Sequence, residues 1–312
     1  MDDTAAHLVV ILGPTASGKS ELAIRLAREL DGEILACDST QVYRHFDIGT
    51  GKVPAAQRRG IPHHLIDLVE PYEVFTAGEY AARATTVLAD VTARGKLPIM
   101  TAGTGLYLRA LLEGLSDAPA RSEELRERLR RKAAAKGALY LHAMLVRLDP
   151  AAAKRMAPRD TQKIIRAIEM RMLAGKAVHE IHGAGRKGLQ GYAVTKIGLN
   201  PPRAALYEHI HARVEGMLAS GWLDEVRRLI GEGVPRDAKP LQFIGYAELR
   251  EHLEGRISLE AAVASIQQAT RRYAKRQLTW FRKEPGVHWL SGFGDDPAIA
   301  SEAVRIVVAP KS

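Results

Sequence analysis

Short hydrophobic runs alternate with amphipathic stretches in the first third of the chain. The apolar segments 8–12, 33–37 and 97–100 have the length and the flanking residues of buried β-strands. The segments 21–27, 76–92 and 106–112 instead carry apolar or small residues at helical spacing. Strands that alternate with helices in this way predict an α/β fold, a parallel sheet flanked by helices.

The rest of the chain is predicted to be mostly helical. Residues 161–173 have apolar positions on one helix face, and further helices are expected from 204, around 242–246 and over 259–281. Segment 191–199 is expected to return the chain to the sheet, after a flexible loop at 183–191. We therefore divide the chain into a core domain, residues 1–120 and 192–312, and a helical insertion domain, residues 121–191.

Positive charge is concentrated in one segment. Residues 121–200 contain 18 lysines and arginines against 7 aspartates and glutamates, whereas the whole chain has 45 against 36. The rest of the chain therefore has 27 against 29 and is nearly neutral. A solvated helical surface would explain isolated charge runs, but confinement to one block favours a nucleic-acid-binding module.

The composition also restricts the cellular setting. A single cysteine, Cys37, excludes an internal disulfide and is typical of a reducing cytoplasm. The N-terminal residues lack the pattern of a signal peptide, and no run is apolar enough to cross a membrane. We expect a cytoplasmic monomer without membrane contact.

The sequence GPTASGKS at 13–20 follows the first predicted strand and opens the first predicted helix. The pattern G-x-x-x-x-G-K-[ST] in this setting indicates a phosphate-binding loop and a P-loop NTPase-like core. Backbone N–H groups and Lys19 would hold a diphosphate or triphosphate, and the Ser20 hydroxyl would bind Mg²⁺. The candidate phosphate-binding residues are Gly13, Pro14, Thr15, Ala16, Ser17, Gly18, Lys19 and Ser20.

Asp38 follows the second predicted strand, where residues of a parallel sheet line the ligand crevice. An Asx turn or a helix N-cap is an equally good explanation of this aspartate. The third strand ends in Thr101 and Gly103 and lacks the aspartate that ATP-hydrolysing enzymes use to hold Mg²⁺. His63 and His64 form a pair without a second cluster at metal-ligand spacing, so we expect a structural role.

Taken together, these motifs closely resemble those of the tRNA dimethylallyltransferase family, also called tRNA isopentenyltransferases, of the bacterial type. The resemblance extends in order over almost the whole chain. The matching segments are GPTASGKS (13–20), DSTQVY (38–43), DIGTGK (47–52), PHHLID (62–67), AGTGLYLRALLEG (102–114), DTQKIIRAIE (160–169), FIGY (243–246) and AKRQLTWFR (274–282).

The resemblance implies the transfer of a dimethylallyl group from dimethylallyl diphosphate to N6 of the adenine on the 3′ side of the anticodon. The substrates would be tRNAs that read codons beginning with U, diphosphate would be released, and Mg²⁺ would be the cofactor. Asp38 would be the general base, and Thr104 and Arg213 would stabilise the leaving diphosphate together with the phosphate loop.

The insertion domain would contact the tRNA anticodon stem-loop, by the same resemblance. The candidate tRNA-binding residues are Asp38, Ser39, Thr40, Gln41, Thr104, Arg126, Gln162, Lys163, Ile164, Ile165, Arg166, Gln242, Phe243, Ile244, Gly245 and Tyr246.

This chain departs from the family pattern at two positions. Ala102 stands where relatives often have glycine, and Gln242 stands where many have arginine or lysine. With a single cysteine, the chain is not expected to form the zinc finger of eukaryotic relatives. Two other functions share some of these features, a small-molecule kinase with a lid insert and a non-catalytic RNA-binding module. The basic insert argues against the kinase, and the phosphate loop would be unexplained in the RNA-binding module.

Overall fold

The computed structural model of the protein describes residues 5–116, 118–183 and 187–309. The described residues form two compact units, one within Met1–Leu111 and Leu189–Ser312, the other within Leu112–Gly188. The smaller unit thus begins nine residues before the predicted insertion domain and ends three residues before its predicted end. At this junction the Leu189 backbone N–H donates to the Leu111 carbonyl at 3.0 Å, which ties the returning chain to the larger unit.

A six-stranded sheet forms the centre of the larger unit, and every pair of neighbouring strands is parallel. The spatial order is β3-β2-β4-β1-β5-β6, so the carboxyl ends of β2, β4 and β1 lie side by side. The predicted parallel α/β fold is confirmed. The strands are β1 (Ala6–Leu12), β2 (Gly32–Cys37), β3 (His63–His64), β4 (Leu97–Ala102), β5 (Tyr192–Leu199) and β6 (Val287–Leu290).

Helices occupy most of the remaining chain. Those before and within the smaller unit are α1 (Lys19–Glu29), α2 (Ala77–Ala93), α3 (Gly105–Leu112), α4 (Glu123–Lys136), α5 (Ala138–Leu148), α6 (Pro150–Lys154), α7 (Thr161–Ala174) and α8 (Val178–Gly183). Those after it are α9 (Arg203–Ala219), α10 (Trp222–Gly231), α11 (Tyr246–Leu253), α12 (Leu259–Phe281) and α13 (Pro297–Val308). In the described part of the chain, no helix combines the length and the apolar character needed to cross a bilayer.

The core of the larger unit joins the sheet to α1 and α13. Val9 and Ile11 of β1 pack in one buried cluster with Leu22 of α1, Leu290 of β6 and Ala303 of α13. Strand β6 and helix α13 were not among the predicted elements. Strand β6 forms because a four-residue strand at the sheet edge gains its stability from pairing with β5, a contact that the local pattern does not reveal.

The smaller unit has a core of its own. Leucines of α4 and α5 pack against isoleucines of α7, namely Leu125, Leu129, Leu141, Leu145, Ile164, Ile165 and Ile168. Asp160 caps α7 by accepting from the Lys163 backbone N–H, and Gly175 ends the helix in the left-handed conformation. The mostly helical character predicted for the insert is therefore confirmed for the residues that the structure describes.

Three local predictions differ in detail from the structure or fall partly outside the described residues. The helix expected over 242–246 begins only at Tyr246, because Gly245 has a φ of 91° and the preceding turn is 3₁₀. His63 and His64, for which no strand was predicted, form the short edge strand β3. The flexible loop expected over 183–191 lies in part outside the described residues.

Candidate active site

A deep cleft opens at the carboxyl ends of β1, β2 and β4, within the larger unit. Its volume is about 1170 Å³, and its walls come from the phosphate loop, the turns after β2 and β4, segment 48–59, and helices α9 and α12. Loops at this edge of a parallel sheet are the usual place for a ligand. The topology therefore brings the predicted phosphate loop and Asp38 into one cavity.

The phosphate loop has the conformation that its glycines allow. Gly18 has a φ of 84°, and a Cβ built there would lie 2.6 Å from the Gly294 backbone nitrogen. Ser17 is fully buried and donates its hydroxyl to the Pro14 carbonyl at 2.8 Å. Helix α1 begins at Lys19, so its first N–H groups are free of helical partners and face an anion at this end.

Lys19 folds back onto its own loop. Its Nζ donates to the carbonyl oxygens of Gly13 and Pro14 at 3.0 and 2.7 Å. Removal from water lowers the pKa of Lys19 to about 7; Asp38 opposes this shift and the charge of Arg213 adds to it. An anionic ligand in the cleft would restore the charge of the ammonium group.

Asp38 lies in an Asx turn and also lines the cleft, and it does not cap a helix. Its Oδ1 accepts from the Thr40 backbone N–H at 2.8 Å and from the Thr40 hydroxyl at 2.7 Å, which is an Asx-turn arrangement. The same carboxylate lines the cleft. Its Oδ2 lies against Gly103, where a Cβ would be only 2.4 Å away. Gly103 therefore has to be glycine for the β4 turn to approach Asp38.

Thr104 holds the turn after β2. Its Oγ1 accepts from the Ser39 backbone N–H at 2.9 Å and donates to the Ser39 hydroxyl at 3.2 Å. Thr101 and Gly103 line the cleft on this side, together with Ser39, Thr40 and Gln41. The direct contact between Thr104 and a diphosphate stays a prediction, and the structure assigns its hydroxyl to Ser39.

Arg213 of α9 lines the cleft, and the DIGTGK segment makes room for it. A Cβ on Gly51 would lie 2.0 Å from Arg213 Nη2. A Cβ on Gly49 would overlap the indole of Trp222 at 2.2 Å. The two glycines of this motif therefore allow close packing of a cationic and an aromatic side chain against the backbone.

Charged residues of two family motifs fix this segment in place. Lys52 is 8% exposed, and its Nζ donates to the Tyr43 carbonyl at 2.7 Å, to Asp47 Oδ1 at 2.8 Å and to Asp67 Oδ1 at 2.5 Å. A buried ammonium group with three acceptors is a structural tie between the loops. The lysine of DIGTGK and the last aspartate of PHHLID thus form one structural ion-pair cluster.

Glu225 of α10 was not among the predicted site residues, although it supports the cleft. Its Oε2 accepts from the backbone N–H groups of Asp47 and Ile48 at 3.1 and 2.9 Å. The Tyr246 hydroxyl donates to Glu225 Oε1 at 2.5 Å and accepts from the Gly49 N–H at 3.1 Å. Burial, and then the neighbouring carboxylate, raise the pKa of Tyr246 far above its usual range. No local sequence signal links α10 to this loop.

The buried position of Tyr246 corrects one prediction. Its side chain has no exposed surface, and Gly245 is buried beneath Trp222. A group without accessible surface does not contact a tRNA directly, so these residues support the wall. Gln242, Phe243 and Ile244 do line the cleft and stay candidates for substrate contact. Gln242 is exposed and donates to the Arg236 carbonyl at 3.1 Å.

The histidine pair has the structural role expected for it. His64 Nε2 contacts Glu33 Oε2 at 2.7 Å, and His63 Nδ1 contacts the Ile61 carbonyl at 2.9 Å. Arg94 also binds Glu33, and hydrogen bonds from Arg94 lower the Glu33 pKa to about 2. Over the described ranges, no group of three or more His, Cys, Asp or Glu side chains is arranged to hold a metal.

In the smaller unit, a buried carboxylate binds two of the predicted tRNA-contact residues. Glu169 has no exposed surface and accepts from Arg126 Nη2 at 2.7 Å, Arg166 Nη1 at 2.6 Å and the Ser122 N–H at 2.8 Å. Burial alone would raise its pKa, but these bonds outweigh burial and hold the pKa at about 2. The two arginines therefore stabilise the fold of this unit.

The same helix corrects the prediction for two further residues. Ile164 and Ile165 are 0% and 6% exposed and belong to the core of the smaller unit, so their side chains do not reach a nucleic acid. Gln162 and Lys163 are exposed on the first turn of α7 and stay candidates. The amphipathic spacing of the helix had already placed Ile164 and Ile165 on an apolar face.

Comparison with known proteins identifies the family. The family model described as IPP transferase matches residues 41–284. The chain is 51% identical over 300 residues to the tRNA dimethylallyltransferase of Koribacter versatilis (strain Ellin345), covering 96% of this chain and 97% of that protein. It is 48% identical over 297 residues to the tRNA dimethylallyltransferase of Solibacter usitatus (strain Ellin6076), covering 95% of this chain and 96% of that protein.

Solved structures give the same result. The full-length tRNA isopentenylpyrophosphate transferase of Bacillus halodurans matches with a TM-score of 0.71 and 36% identity, over 96% of this chain and 95% of that one. A eukaryotic dimethylallyltransferase acting on tRNA matches with a TM-score of 0.81 and 27% identity, over 96% of this chain and 78% of that one. The kinase and the non-catalytic RNA-binding module are therefore set aside. By its sequence over nearly its whole length and by its fold, the chain belongs to the tRNA dimethylallyltransferase family.

Proposed function

We propose that this protein transfers the dimethylallyl group of dimethylallyl diphosphate to N6 of the adenine on the 3′ side of the anticodon, in tRNAs that read codons beginning with U. The observation that carries the proposal is the combination found in the cleft. A phosphate loop with Lys19 and Arg213 provides cationic groups, and Asp38 provides a carboxylate in the same cavity.

The reaction forms a bond between adenine N6 and the first carbon of the dimethylallyl group, while the bond from that carbon to the diphosphate oxygen breaks. The amine loses one proton, and the diphosphate leaves with the bonding electron pair. In this proposal the phosphate-loop N–H groups, Lys19 and Arg213, all of which line the cleft, stabilise the negative charge that develops on the leaving group.

We assign to Asp38, which lines the same cleft, the role of accepting the amine proton. Its Oδ1 already accepts two hydrogen bonds from Thr40, so Oδ2 is the oxygen that we assign to the adenine amine. A general base of this kind contributes about 10² to 10⁴ in rate. The Thr40 bonds also keep the carboxylate in one orientation, which lowers the cost of aligning it with the amine.

The phosphate loop also fits a magnesium ion as part of this proposal. Ser20 lines the cleft at the start of α1 and is exposed to it, so its hydroxyl is available as a ligand. Mg²⁺ is commonly held by one or two protein oxygens together with substrate phosphates and waters, so a single hydroxyl ligand from the protein suits it. When bound, the ion would neutralise charge on the diphosphate.

We further propose that the basic smaller unit binds the anticodon stem-loop. Its excess positive charge suits the phosphate backbone of RNA. The target adenine is stacked in the anticodon loop, so the base has to be turned out of the stack to reach a cavity. The cleft, at about 1170 Å³, has room for a base together with a dimethylallyl diphosphate.

The test is an incubation of the purified protein with unmodified tRNA, Mg²⁺ and either dimethylallyl diphosphate or ATP, followed by mass analysis of the digested nucleosides. We expect one dimethylallyl unit on adenosine and release of diphosphate in the first reaction, and no change with ATP. A phosphorylated product with ATP, or no product with a set of tRNAs reading codons that begin with U, would overturn the proposal.

A further inference from the structure

The side chain of Gln277 contacts two loops of the cleft at once. Its Oε1 accepts from the Thr15 backbone N–H at 2.7 Å, and its Nε2 donates to the Gly103 carbonyl at 2.8 Å. Both partners are backbone groups, one only a donor and the other only an acceptor, so the orientation of the amide is determined. The side chain is 6% exposed, and each of its two bonds is therefore shielded from water.

The two loops have different tasks in the proposed reaction. Thr15 belongs to the phosphate loop, which would hold the leaving diphosphate. Gly103 lies beside Asp38, the proposed general base. Its Cα faces Asp38 Oδ2, and its N–H donates to the Cys37 carbonyl at 3.0 Å. Gly103 is therefore packed directly against the carboxylate of Asp38.

Helix α12 presents Gln277 from a rigid element. One turn earlier, the Tyr273 hydroxyl donates to the same Gly103 carbonyl at 3.2 Å. One turn later, the indole of Trp280 packs on Gly105, where a Cβ would lie 2.0 Å from Nε1. Residues 273, 277 and 280 share one face of a 23-residue helix, so this face fixes the whole turn after β4.

We propose that Gln277 is a positioning residue, which sets the distance between the phosphate loop and the turn that carries Gly103 against Asp38. The proposal rests on the proposed prenyl transfer. Attack on a carbon requires the amine and the leaving oxygen to be aligned, and a misplacement of about 1 Å can cost about 100-fold in rate. Gln277 does not touch the reacting atoms and acts through the two loops.

The first test replaces Gln277 by methionine, which keeps the volume and removes both hydrogen bonds. The assay is run at a temperature well below the melting temperature of the variant. We expect kcat for Gln277→Met to fall about 10- to 100-fold, with the KM for tRNA within about twofold of the wild type. Gln268→Met on an exposed position of the same helix is the matched control and should leave both constants unchanged. An unchanged kcat in Gln277→Met would overturn the proposal.

Gln277→Glu provides a second, pH-dependent test, also if the methionine variant does not fold. The carboxylate still accepts from Thr15, but it faces the Gly103 carbonyl with an oxygen instead of a donor. We expect its rate relative to the wild type to rise as the pH falls, because the protonated carboxyl donates to Gly103 as the amide does. Burial raises the pKa of such a carboxyl, so that its protonation takes place in the pH range in which the enzyme can be assayed. A pH-independent ratio would contradict the assigned role.

A double-mutant cycle with Tyr273→Phe tests the shared acceptor. With Gln277 present, loss of the longer Tyr273 bond should have little effect on kcat. In the Gln277→Met background it should lower kcat further, because Gly103 then loses both donors. Equal effects in both backgrounds would count against a common role.

If the wild type itself transfers no prenyl group, the proposed function fails, whereas an active wild type with unaffected Gln277 variants refutes this inference alone.

Discussion

The backbone of Gly51 lies directly against the guanidinium group of Arg213: a Cβ built on Gly51 would be 2.0 Å from Arg213 Nη2. This contact relates the DIGTGK segment to a cationic side chain that is 162 positions further along the chain. The second glycine of the motif therefore determines where Arg213 can enter the cleft.

Gly51→Ala should displace Arg213 and weaken the stabilisation of the diphosphate. We expect kcat/KM for dimethylallyl diphosphate to fall about 10-fold or more, as for the loss of one charge-stabilising group. Gly60→Ala is the matched control, since Gly60 also has a positive φ, of 79°, but no atom lies within 4 Å of its Cβ position. Both variants are strained in the backbone, so equal kcat/KM values for the two would contradict the role of Arg213.

Lys19 should take up a proton when a diphosphate binds. Its pKa is lowered to about 7 in the free protein, so near pH 8 the amine is mostly neutral, and an adjacent anion raises that pKa. Affinity should therefore decrease as the pH rises above 7. Calorimetry with dimethylallyl diphosphate in buffers of different ionisation enthalpy measures the uptake. The Lys19→Met variant should lack it, and equal uptake by both proteins would refute the assignment.

Asp38 should control the chemical step. We expect Asp38→Ala to lower the single-turnover rate about 10² to 10⁴-fold, with a much smaller change in the affinity for dimethylallyl diphosphate. Asp38→Asn keeps an acceptor for Thr40 but removes the base, so it should be nearly as slow. A near-wild-type rate in Asp38→Asn would mean that Asp38 only orients the amine.

Exposed arginines of α4 should contribute to tRNA binding through phosphates. Arg128 and Arg131 are exposed, and neither has an ion-pair partner among the described residues. For Arg128→Ala with Arg131→Ala, the slope of log affinity against log salt should fall by roughly 0.7 to 0.9 per lost phosphate contact. Gel-shift titrations at several salt concentrations measure it. An unchanged slope would assign these arginines to a solvated surface.

The cluster of Glu169 with Arg126 and Arg166 should make the stability of the smaller unit sensitive to acid. The folded-state pKa of Glu169 is lowered to about 2 from 4.5, so its contribution to stability is present above about pH 4.5 and is lost as the pH falls toward 2. The contribution amounts to roughly 3 kcal/mol. Glu169→Gln should flatten the loss of unfolding free energy in this range, measured by denaturant titration. Arg126→Ala should destabilise at neutral pH; a fully stable variant would contradict the cluster's role.

The sequence alone determined the features that depend on near neighbours. The apolar runs 8–12 and 33–37, the glycines and Lys19 of the phosphate loop, and the helix periodicity of 161–173 each act over a few residues. Strand, loop and helix therefore followed from local patterns. The position of Asp38 also followed, because the carboxyl ends of parallel strands meet at one edge of the sheet.

Only the tertiary structure decided which distant side chains meet. Gln277 and Thr15 are 262 positions apart in the sequence. Glu225, which accepts a hydrogen bond from the Ile48 N–H, is 177 positions away from it. Arg126 and Arg166 were predicted as tRNA contacts, but in the fold both pair with the buried carboxylate of Glu169. Such pairings depend on how the elements pack. A burial pattern within one helix specifies which face is apolar but not which residue of another element it contacts.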